Sequence, residues 1–503
     1  MTSQKYLIIL IQISIVLLTL NACKEENHLK EATNRKNNIL FISVDDLNDW
    51  VGYTGKYPIS VTPNIDKLAS QGTSFSNAHC QAPLCAPSRA SLFTGLYPNT
   101  TGLYYQFTDE DLQEVIKDIQ DCVLLPDYLE SQGYQTIAVG KVFHNGDRAS
   151  VFDKYGGIFP EMAFGPRPPE RMNYDPAWFS DTRRTATDWG GMEISDTAMS
   201  DYKIADWAID QLHQNYNDPF FLSVGFIRPH VPWHVPVSWM EKFENIEITL
   251  PAYQENDLED VPEFSRQLHA MPAMPKTEWL IAQNQWKNMV RAYLASMAFV
   301  DHQIGRLLDS LAKSKYKDNT IIVLWSDHGY HLGEKNRTAK HSLWERATHI
   351  PLIFSGPGIG KDKICNPPVG LIDIYPTVLD LLNLSPNPQN EGNSLVPFLS
   401  NKEVSWDRPA LSFYGYKNTS IYKDNYHLIQ YRDGSGELYD LDNDPNEWNN
   451  LFLEKSNSSL IKNYQNLIPP SFAPMASVNR LNVNTHIDKE LLEFGITDPD
   501  KKH

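Results

Sequence analysis

The sequence predicts an α/β protein: a mainly parallel sheet covered by helices on both faces, followed by a small antiparallel subdomain. Three observations carry this prediction. Short apolar runs that do not alternate with polar residues, such as Asn38-Ile39-Leu40-Phe41-Ile42-Ser43-Val44, suit strands buried on both faces. Segments with helical spacing separate those runs, as crossover connections in a parallel sheet require. After about Pro386 the texture shifts to short strands between polar turns.

The elements follow in order. The first strand, 38–44, ends in Asp45-Asp46. Residues 63–71 form a short helix stopped by Gly72; Pro63 suits its first turn, where an N–H has no intrahelical partner. Pro87 and Ser88 open another helix and place Cys85 just before its N-terminus, where free N–H groups favour an anion. A helix over 124–132 is ended by Gly133, and a strand over 135–139 runs into Gly140-Lys141-Val142-Phe143-His144. Residues 158–176, rich in proline and glycine, read as a long surface loop. Ala198, Tyr202, Ala205, Ile209 and Leu212 recur at helical spacing, and a strand over 220–227 leads into Arg228-Pro229-His230-Val231-Pro232-Trp233. An irregular acidic insertion spans 253–276. Trp286, Val290, Tyr293, Met297, Val300, Ile304, Leu307 and Leu311 then step by four and three along a long helix. A strand over 320–325 ends in Ser326-Asp327-His328-Gly329. A further strand, 350–354, and a helix, 374–382, complete the large unit. Short strands over 410–416, 420–422, 426–431 and 437–441, with a turn at Asp433-Gly434-Ser435-Gly436, form the antiparallel subdomain.

Composition narrows the functions. With 62 acidic against 44 basic residues the net charge is -18, which argues against nucleic acid or an anionic membrane surface as partner. Residues 7–20 are apolar after Lys5 but too few for a confident membrane span. Leu20-Asn21-Ala22-Cys23 resembles a bacterial lipoprotein box, cleaved before Cys23 and lipidated on it; an ordinary secretory signal with an incidental cysteine is the other reading. Either exports the protein, as a lipid-anchored lipoprotein in the first case. The expected organisation is a signal peptide (1–22), a tether (23–37), a catalytic domain (38–386) and a C-terminal subdomain (387–503). Cys80, Cys122 and Cys365 allow at most one disulfide among them.

One string concentrates the chemistry: Leu84-Cys85-Ala86-Pro87-Ser88-Arg89-Ala90-Ser91-Leu92-Phe93-Thr94-Gly95. An isolated cysteine there is a small buried hydrophobe or half of a disulfide with Cys80. The whole string, however, resembles the sulfatase signature C-x-P-S-R-x-x-L-x-T-G at every fixed position. That resemblance implies an alkaline-phosphatase-like α/β/α sandwich. It also implies that a maturation enzyme oxidises Cys85 to formylglycine. One hydroxyl of the hydrated aldehyde attacks sulfur and displaces the sugar alcohol, and the second expels sulfate, a release route that a plain serine lacks.

The remaining site residues are weak signals alone. An Asp-Asp pair at a strand end is usually a turn or cap, and lysines on loops are usually solvated. Two such strand ends together offer oxygen ligands and an imidazole that suit Ca²⁺ or Mg²⁺ better than zinc. The resemblance implies that Asp45, Asp46, Asp327, His328 and the converted Cys85 bind one Ca²⁺, with Mg²⁺ possible. It makes Arg89 a partner of the formylglycine and nearby carboxylates, and Lys141, His144 and Lys340 contacts of the sulfate or the hydrate. His144 takes the proton in the release step. His230, bracketed by prolines, protonates the leaving oxygen. His331, His341 and His349 are left as structural or rim residues. Three carboxylates against Arg89, Lys141, Lys340 and a divalent cation make the pocket net positive inside an acidic protein.

Gly140-Lys141-Val142-Phe143-His144, Arg228-Pro229-His230-Val231-Pro232-Trp233 and Ser326-Asp327-His328-Gly329 resemble the iduronate-2-sulfatase group within that family. Arg337-Thr338-Ala339-Lys340-His341 departs from the group, which carries tryptophan two residues before the lysine and tyrosine after it; this puts the sugar, not the reaction, in question. A sulfated poly- or oligosaccharide is the expected substrate, with ulvan or a uronate-containing glycosaminoglycan as candidates. Trp50, Trp189, Trp233 and Trp344 are sugar-stacking or core residues. The competing readings are a phosphatase or phosphodiesterase of the same fold, an inactive polysaccharide-binding lipoprotein, and a cysteine hydrolase.

Overall fold

A computed structural model describes residues 36–119, 121–144, 149–157, 165–173, 175, 185–400, 404–481 and 483–496. The expected leader, the Cys23 lipid site, most of the tether and residues 158–164, 174 and 176 of the expected loop lie outside them. Among the described residues no helix is long and apolar enough to cross a membrane.

In chain order the strands are β1 (Asn38–Val44), β2 (Gly72–His79), β3 (Gln135–Gly140), β4 (Lys154–Tyr155), β5 (Trp189–Met192), β6 (Phe220–Phe226), β7 (Trp233–Pro236), β8 (Thr320–Ser326), β9 (His349–Ser355), β10 (Lys363–Cys365), β11 (Val369–Gly370), β12 (Ala410–Phe413), β13 (Thr419–Lys423), β14 (Tyr426–Gln430) and β15 (Gly436–Asp440). The large sheet runs β10-β2-β9-β8-β1-β6-β3-β4, with β11 also on β2. All its pairings are parallel except those of β9, which is antiparallel to both β2 and β8.

β1 shows why its sequence does not alternate. Leu40, Ile42 and Val44 pack into one apolar layer, and Ile39 and Phe41 into the other. The first layer includes α3 (Ser200–Leu212) and the 28-residue α4 (Trp286–Lys313); the second includes α2 (Cys85–Thr94) and α5 (Ile374–Leu381), while α1 (Pro63–Ser70) joins the first. Each fully buried side chain such as Phe299 or Leu307 contributes about 1.5–3 kcal/mol. Thr62 makes no side-chain cap on α1. Asp301 of α4 caps it instead, accepting from the amides of Asn64 at 3.1 Å and Ile65 at 2.9 Å.

β12-β13-β14-β15 form a four-stranded antiparallel sheet. Its core is shared: Leu84, Tyr104, Leu343 and Trp344 pack with Phe413, Ile421, Leu428 and Leu438. Two expectations need correction, and one strand was not foreseen. Cys85 is the first residue of α2, with Leu84 as its N-cap, so the thiol belongs to the first turn. The insertion over 253–276 carries a short helix, Glu263–Leu268, whose Leu268 is buried in that shared core. The strand β2 had no distinct sequence signal, because Gly72-Thr73-Ser74-Phe75-Ser76-Asn77-Ala78-His79 is mostly small and polar; its pairing with β9 makes it a strand. The described cysteines Cys80, Cys85, Cys122 and Cys365 are all free.

Candidate active site

The site lies past the carboxyl ends of the four adjacent parallel strands β8, β1, β6 and β3. Val44 pairs with Ser326, so the residues after β1 and β8 emerge side by side. Ser326 fastens the two ends: its hydroxyl accepts from the amide of Leu47 at 3.1 Å and lies 2.9 Å from the carbonyl of Val44. Asp46 adopts a φ of 60°, in the left-handed region. Its amide donates to Asp327 Oδ1 at 3.2 Å, and its carbonyl accepts from Tyr293 Oη at 2.9 Å. These bonds hold the unusual conformation.

The α2 N-terminus brings Cys85 to these acids. Its Sγ lies 3.5 Å from Asp45 Oδ1, 3.2 Å from His328 Nε2, 3.1 Å from Lys340 Nζ and 3.7 Å from Lys141 Nζ. Lys340 also reaches Asp46 Oδ1 at 2.7 Å, and Lys141 pairs with Asp45 Oδ2. Arg89, one turn along α2, donates from Nε to Asp327 Oδ2 at 2.9 Å and from Nη1 to the carbonyls of Lys141 and Val142. One guanidinium thus ties the end of β3 to the acid after β8. At that end Gly140 has a φ of 77°, and a Cβ there would meet the Gly225 carbonyl oxygen at 2.1 Å, so only glycine fits.

His144 donates its amide to Asp109 Oδ1 at 2.9 Å, and its side chain is among the groups that lower the Cys85 thiol pKa. His230 approaches from β6, with Nε2 4.0 Å from Asp46 Oδ2. Arg228 supports that turn, donating to the carbonyls of His234 at 3.1 Å and His230 at 3.2 Å. The structure therefore gathers Asp45, Asp46, Cys85, Arg89, Lys141, His144, His230, Asp327, His328 and Lys340 around one point.

Electrostatics there are those of a dense buried cluster. Burial raises the Cys85 thiol pKa, but Lys141, Lys340 and His328 outweigh burial and hold it well below the ordinary thiol value. Burial and Cys85 raise Asp45, and Lys141, His230 and Lys340 reverse this to leave it below its usual range. Asp327 is raised to about 6, burial outweighing Arg89 and His328. Burial lowers His328, yet Asp327 carries it up to about 9. The acids thus draw a proton onto an imidazole when no cation is beside them.

The donor set fits a cation. Asp45, Asp46, Cys85 and His230 offer atoms that lie mutually close, as do Asp45, Cys85, Asp327 and His328. Asp46 Oδ2 is buried without a hydrogen-bond partner. Nδ1 of His328 faces the Gly329 carbonyl at 3.0 Å, so the neutral tautomer that donates there leaves the Nε2 lone pair toward the carboxylates. Oxygen ligands dominate, as hard divalent cations prefer.

Sequence reasoning did not single out Ser326, Tyr293 or Asp109 as supports. Ser88 was visible only as a motif letter; its hydroxyl lies 2.5 Å from the Asp327 carbonyl. The tryptophans at 50, 189, 233 and 344 are all buried, as are His331, His341 and His349, which makes them packing residues.

A family model described as Sulfatase matches residues 37–384, and a second, described as N-sulphoglucosamine sulphohydrolase, C-terminal, matches 333–470. A protein named Sulfatase from Formosa agariphila is 43% identical over 447 residues, covering 87% of each chain. Human iduronate 2-sulfatase is 31% identical over 357 residues, covering 64% of this chain and 60% of its own. Among solved structures, one in complex with its substrate D-glucosamine-2-N,6-O-disulfate superposes with a TM-score of 0.68 at 23% identity, covering 93% of this chain and 100% of that one. That likeness bears on the fold, the alkaline-phosphatase-like α/β/α sandwich.

Proposed function

The chain belongs to the sulfatase family, and from that premise we propose that it hydrolyses sulfate esters of a sulfated saccharide at a formylglycine formed from Cys85. The observation that carries the reading is the position of Cys85: first turn of α2, with two lysines, an arginine-anchored acid cluster and two imidazoles around its sulfur. The thiol stands where the hydroxyls of the hydrated aldehyde would be, and that hydrate supplies one hydroxyl to attack sulfur and a second to free the sulfate.

Asp45, Asp46, Asp327 and His328, with the converted Cys85, would hold the cation, which we assign as Ca²⁺. When bound it offsets charge on the sulfate oxygens. The chain's own residues do the rest. Lys141 and Lys340 hold sulfate oxygens through charge-assisted hydrogen bonds. His230 Nδ1 donates to the Val231 carbonyl at 2.7 Å, so the doubly protonated ring carries its second proton on Nε2 and delivers that proton to the leaving sugar oxygen. His144 takes the proton from the second hydroxyl. Arg89 stays beside Asp327 and Asp45, at 2.9 and 3.8 Å, and opposes the burial that raises Asp327.

Ulvan oligosaccharides, or uronate 2-sulfates of glycosaminoglycans, are the proposed substrates, supported by the relation to iduronate 2-sulfatase. Export as a lipoprotein anchored through Cys23 is proposed from the sequence box alone. A separate maturation enzyme that reads Cys85-Ala86-Pro87-Ser88-Arg89 is the implied partner. The test is sulfate release from ulvan oligosaccharides by protein whose Cys85 carries the aldehyde by mass spectrometry. Release that vanishes in Cys85→Ala supports both reaction and substrate. Release from uronate 2-sulfates alone moves the substrate, and an unconverted Cys85 in the native host sinks the reading.

A further inference from the structure

Beside the Lys340 loop lies a cavity of about 580 Å³ whose lining carries, among the described residues, four cations, Arg266, Lys276, Lys335 and Arg337, and no carboxylate. That is unexpected in a chain of net charge -18. Two of the four are neutralised from outside the lining: Lys335 by Asp257 at 2.8 Å and Arg266 by Glu263 at 2.9 Å. Lys276 is exposed and makes no ion pair among the described residues.

Arg337 is the unusual member. It is 5% exposed, and no carboxylate pairs with it among the described residues. Its Nη2 donates to the carbonyls of Lys340 at 2.8 Å and His341 at 3.1 Å, while Nε is buried without a partner and Nη1 makes no hydrogen bond. Its guanidinium carbon lies 5.6 Å from the centre of the Trp344 ring, which forms part of the wall. A buried guanidinium with spare donors and no acid is costly unless a ligand supplies the acid. The α6 helix (Thr485–Glu493) begins at the same cavity through Asn484 and Thr485, and its N-terminal end adds positive potential.

Position connects this cavity to the reaction centre. Arg337 is three residues from Lys340, a backbone span of at most about 10 Å, and Lys340 Nζ is 3.1 Å from Cys85 Sγ. Resting on the reading of this site as a saccharide sulfatase, we infer that the cavity is a subsite for a second anionic group of the substrate, a carboxylate or a sulfate on the saccharide, and that Arg337 is its specificity-determining residue. A planar guanidinium with free donors matches such a planar or tripodal oxyanion. The Trp344 face keeps the guanidinium plane in place.

The test compares kcat/KM on 4-nitrophenyl sulfate, which carries one negative charge, with a uronate-bearing sulfated disaccharide, using converted wild type, Arg337→Gln, Arg337→Lys and Lys276→Gln. The expected result is a fall of at least tenfold in the disaccharide-to-aryl ratio for Arg337→Gln, carried by KM. Arg337→Lys restores part of it, and Lys276→Gln lowers the ratio about threefold. Equal losses on both substrates overturn the inference, since they would make Arg337 only a brace for the Lys340 loop. If Arg337→Gln does not fold, the surface variant Lys276→Gln decides, and an unmoved ratio overturns the inference. Replacing chloride by inorganic sulfate at constant ionic strength separates the source of the anion: an effect alike on both substrates that disappears in Arg337→Gln assigns the cavity to a free anion and overturns it. If wild type cleaves neither sulfate ester, the sulfatase reading fails. Calorimetric titration with unsulfated trigalacturonate then still decides the subsite, with weaker binding by Arg337→Gln supporting it and equal or absent binding overturning it.

Discussion

Asp46 and Asp49 stand three residues apart after β1, both fully buried, yet they belong to different kinds of charge cluster. Asp49 is surrounded: Arg346 pairs with it, His349 Nδ1 lies at 3.2 Å and Lys56 at 3.6 Å. Burial raises its pKa, but these partners carry it below the usual carboxylate range. Asp46 has one lysine at 2.7 Å on Oδ1, and its Oδ2 finds no hydrogen-bond partner. Asp45, Cys85 and His230 offer atoms beside it. One cluster satisfies its acid from several of the chain's own cations and holds the chain together. The other also pairs each acid with a lysine or arginine, yet it leaves Asp46 Oδ2 buried without a hydrogen-bond partner.

The comparison can be broken in several ways, with the largest effect expected at the reacting atom. Cys85→Ala should lower sulfate release by on the order of 10⁴-fold or more, while thermal unfolding followed by circular dichroism stays near that of wild type. Asp49→Asn should do the reverse. Arg346 keeps Glu334 at 3.2 Å but loses its Asp49 partner, which costs about 1–3 kcal/mol of stability, read from denaturant unfolding, while the folded fraction keeps its KM. A variant with normal stability and lost turnover would show that Asp49 also belongs to the Asp46 cluster.

Asp46→Asn should lower turnover by about 10²–10³-fold, the several kcal/mol that a catalytic cation supplies. Added Ca²⁺, the proposed cation, should raise the melting temperature of wild type by linkage and leave that of Asp46→Asn unchanged. If Ca²⁺ protects Asp46→Asn and wild type equally, the cation site is elsewhere.

A pH series sharpens the contrast. In the cation-free protein His328 is raised from 6.5 to about 9. A histidine with a raised folded pKa contributes stability that is complete below its unfolded value and disappears as pH rises through the folded one. His328's share should therefore lower the melting temperature between about pH 6.5 and 9 without the cation, while the depressed Cys85 thiol acts in the opposite sense below its ordinary value of 9.0, and the cation should remove His328's share. The share of His349, also raised by its bonds to Asp49 and Glu345 although burial lowers it, should remain.

The smallest effect is expected at a support. Tyr293→Phe removes the hydroxyl that accepts from the Asn48 amide at 3.0 Å and donates to the Asp46 carbonyl. About 1–3 kcal/mol of stability should be lost, with weaker Ca²⁺ affinity by titration and an unchanged requirement for converted Cys85.

Much of this was legible in the chain. The doubly covered strands β1, β6 and β8 announced themselves because both faces are apolar, and α4 by its sustained spacing. The Cys85 string was legible because its signature letters lie in one unbroken stretch, 84–95. The supports were not legible. Ser326, Tyr293 and Asp109 are ordinary residues until the fold sets them against Val44, Asp46 and His144. β2 was hidden for the same reason: its residues have little strand character, and its partner β9 decides for it.

By itself the sequence determined the parallel core, the family signature around Cys85 and the identity of the acids and cations near strand ends, since periodicity and short motifs are properties of neighbouring residues. Tertiary structure decided which of those charges act together. The register of Val44 on Ser326 brings Asp46 to Asp327 across 281 positions. The surroundings of Asp49 close one cluster, and the lack of an acid beside Arg337 leaves another open. The reason is physical: the free energy of a buried charge depends on what lies within a few ångströms of it, and those neighbours come from segments far apart in the chain.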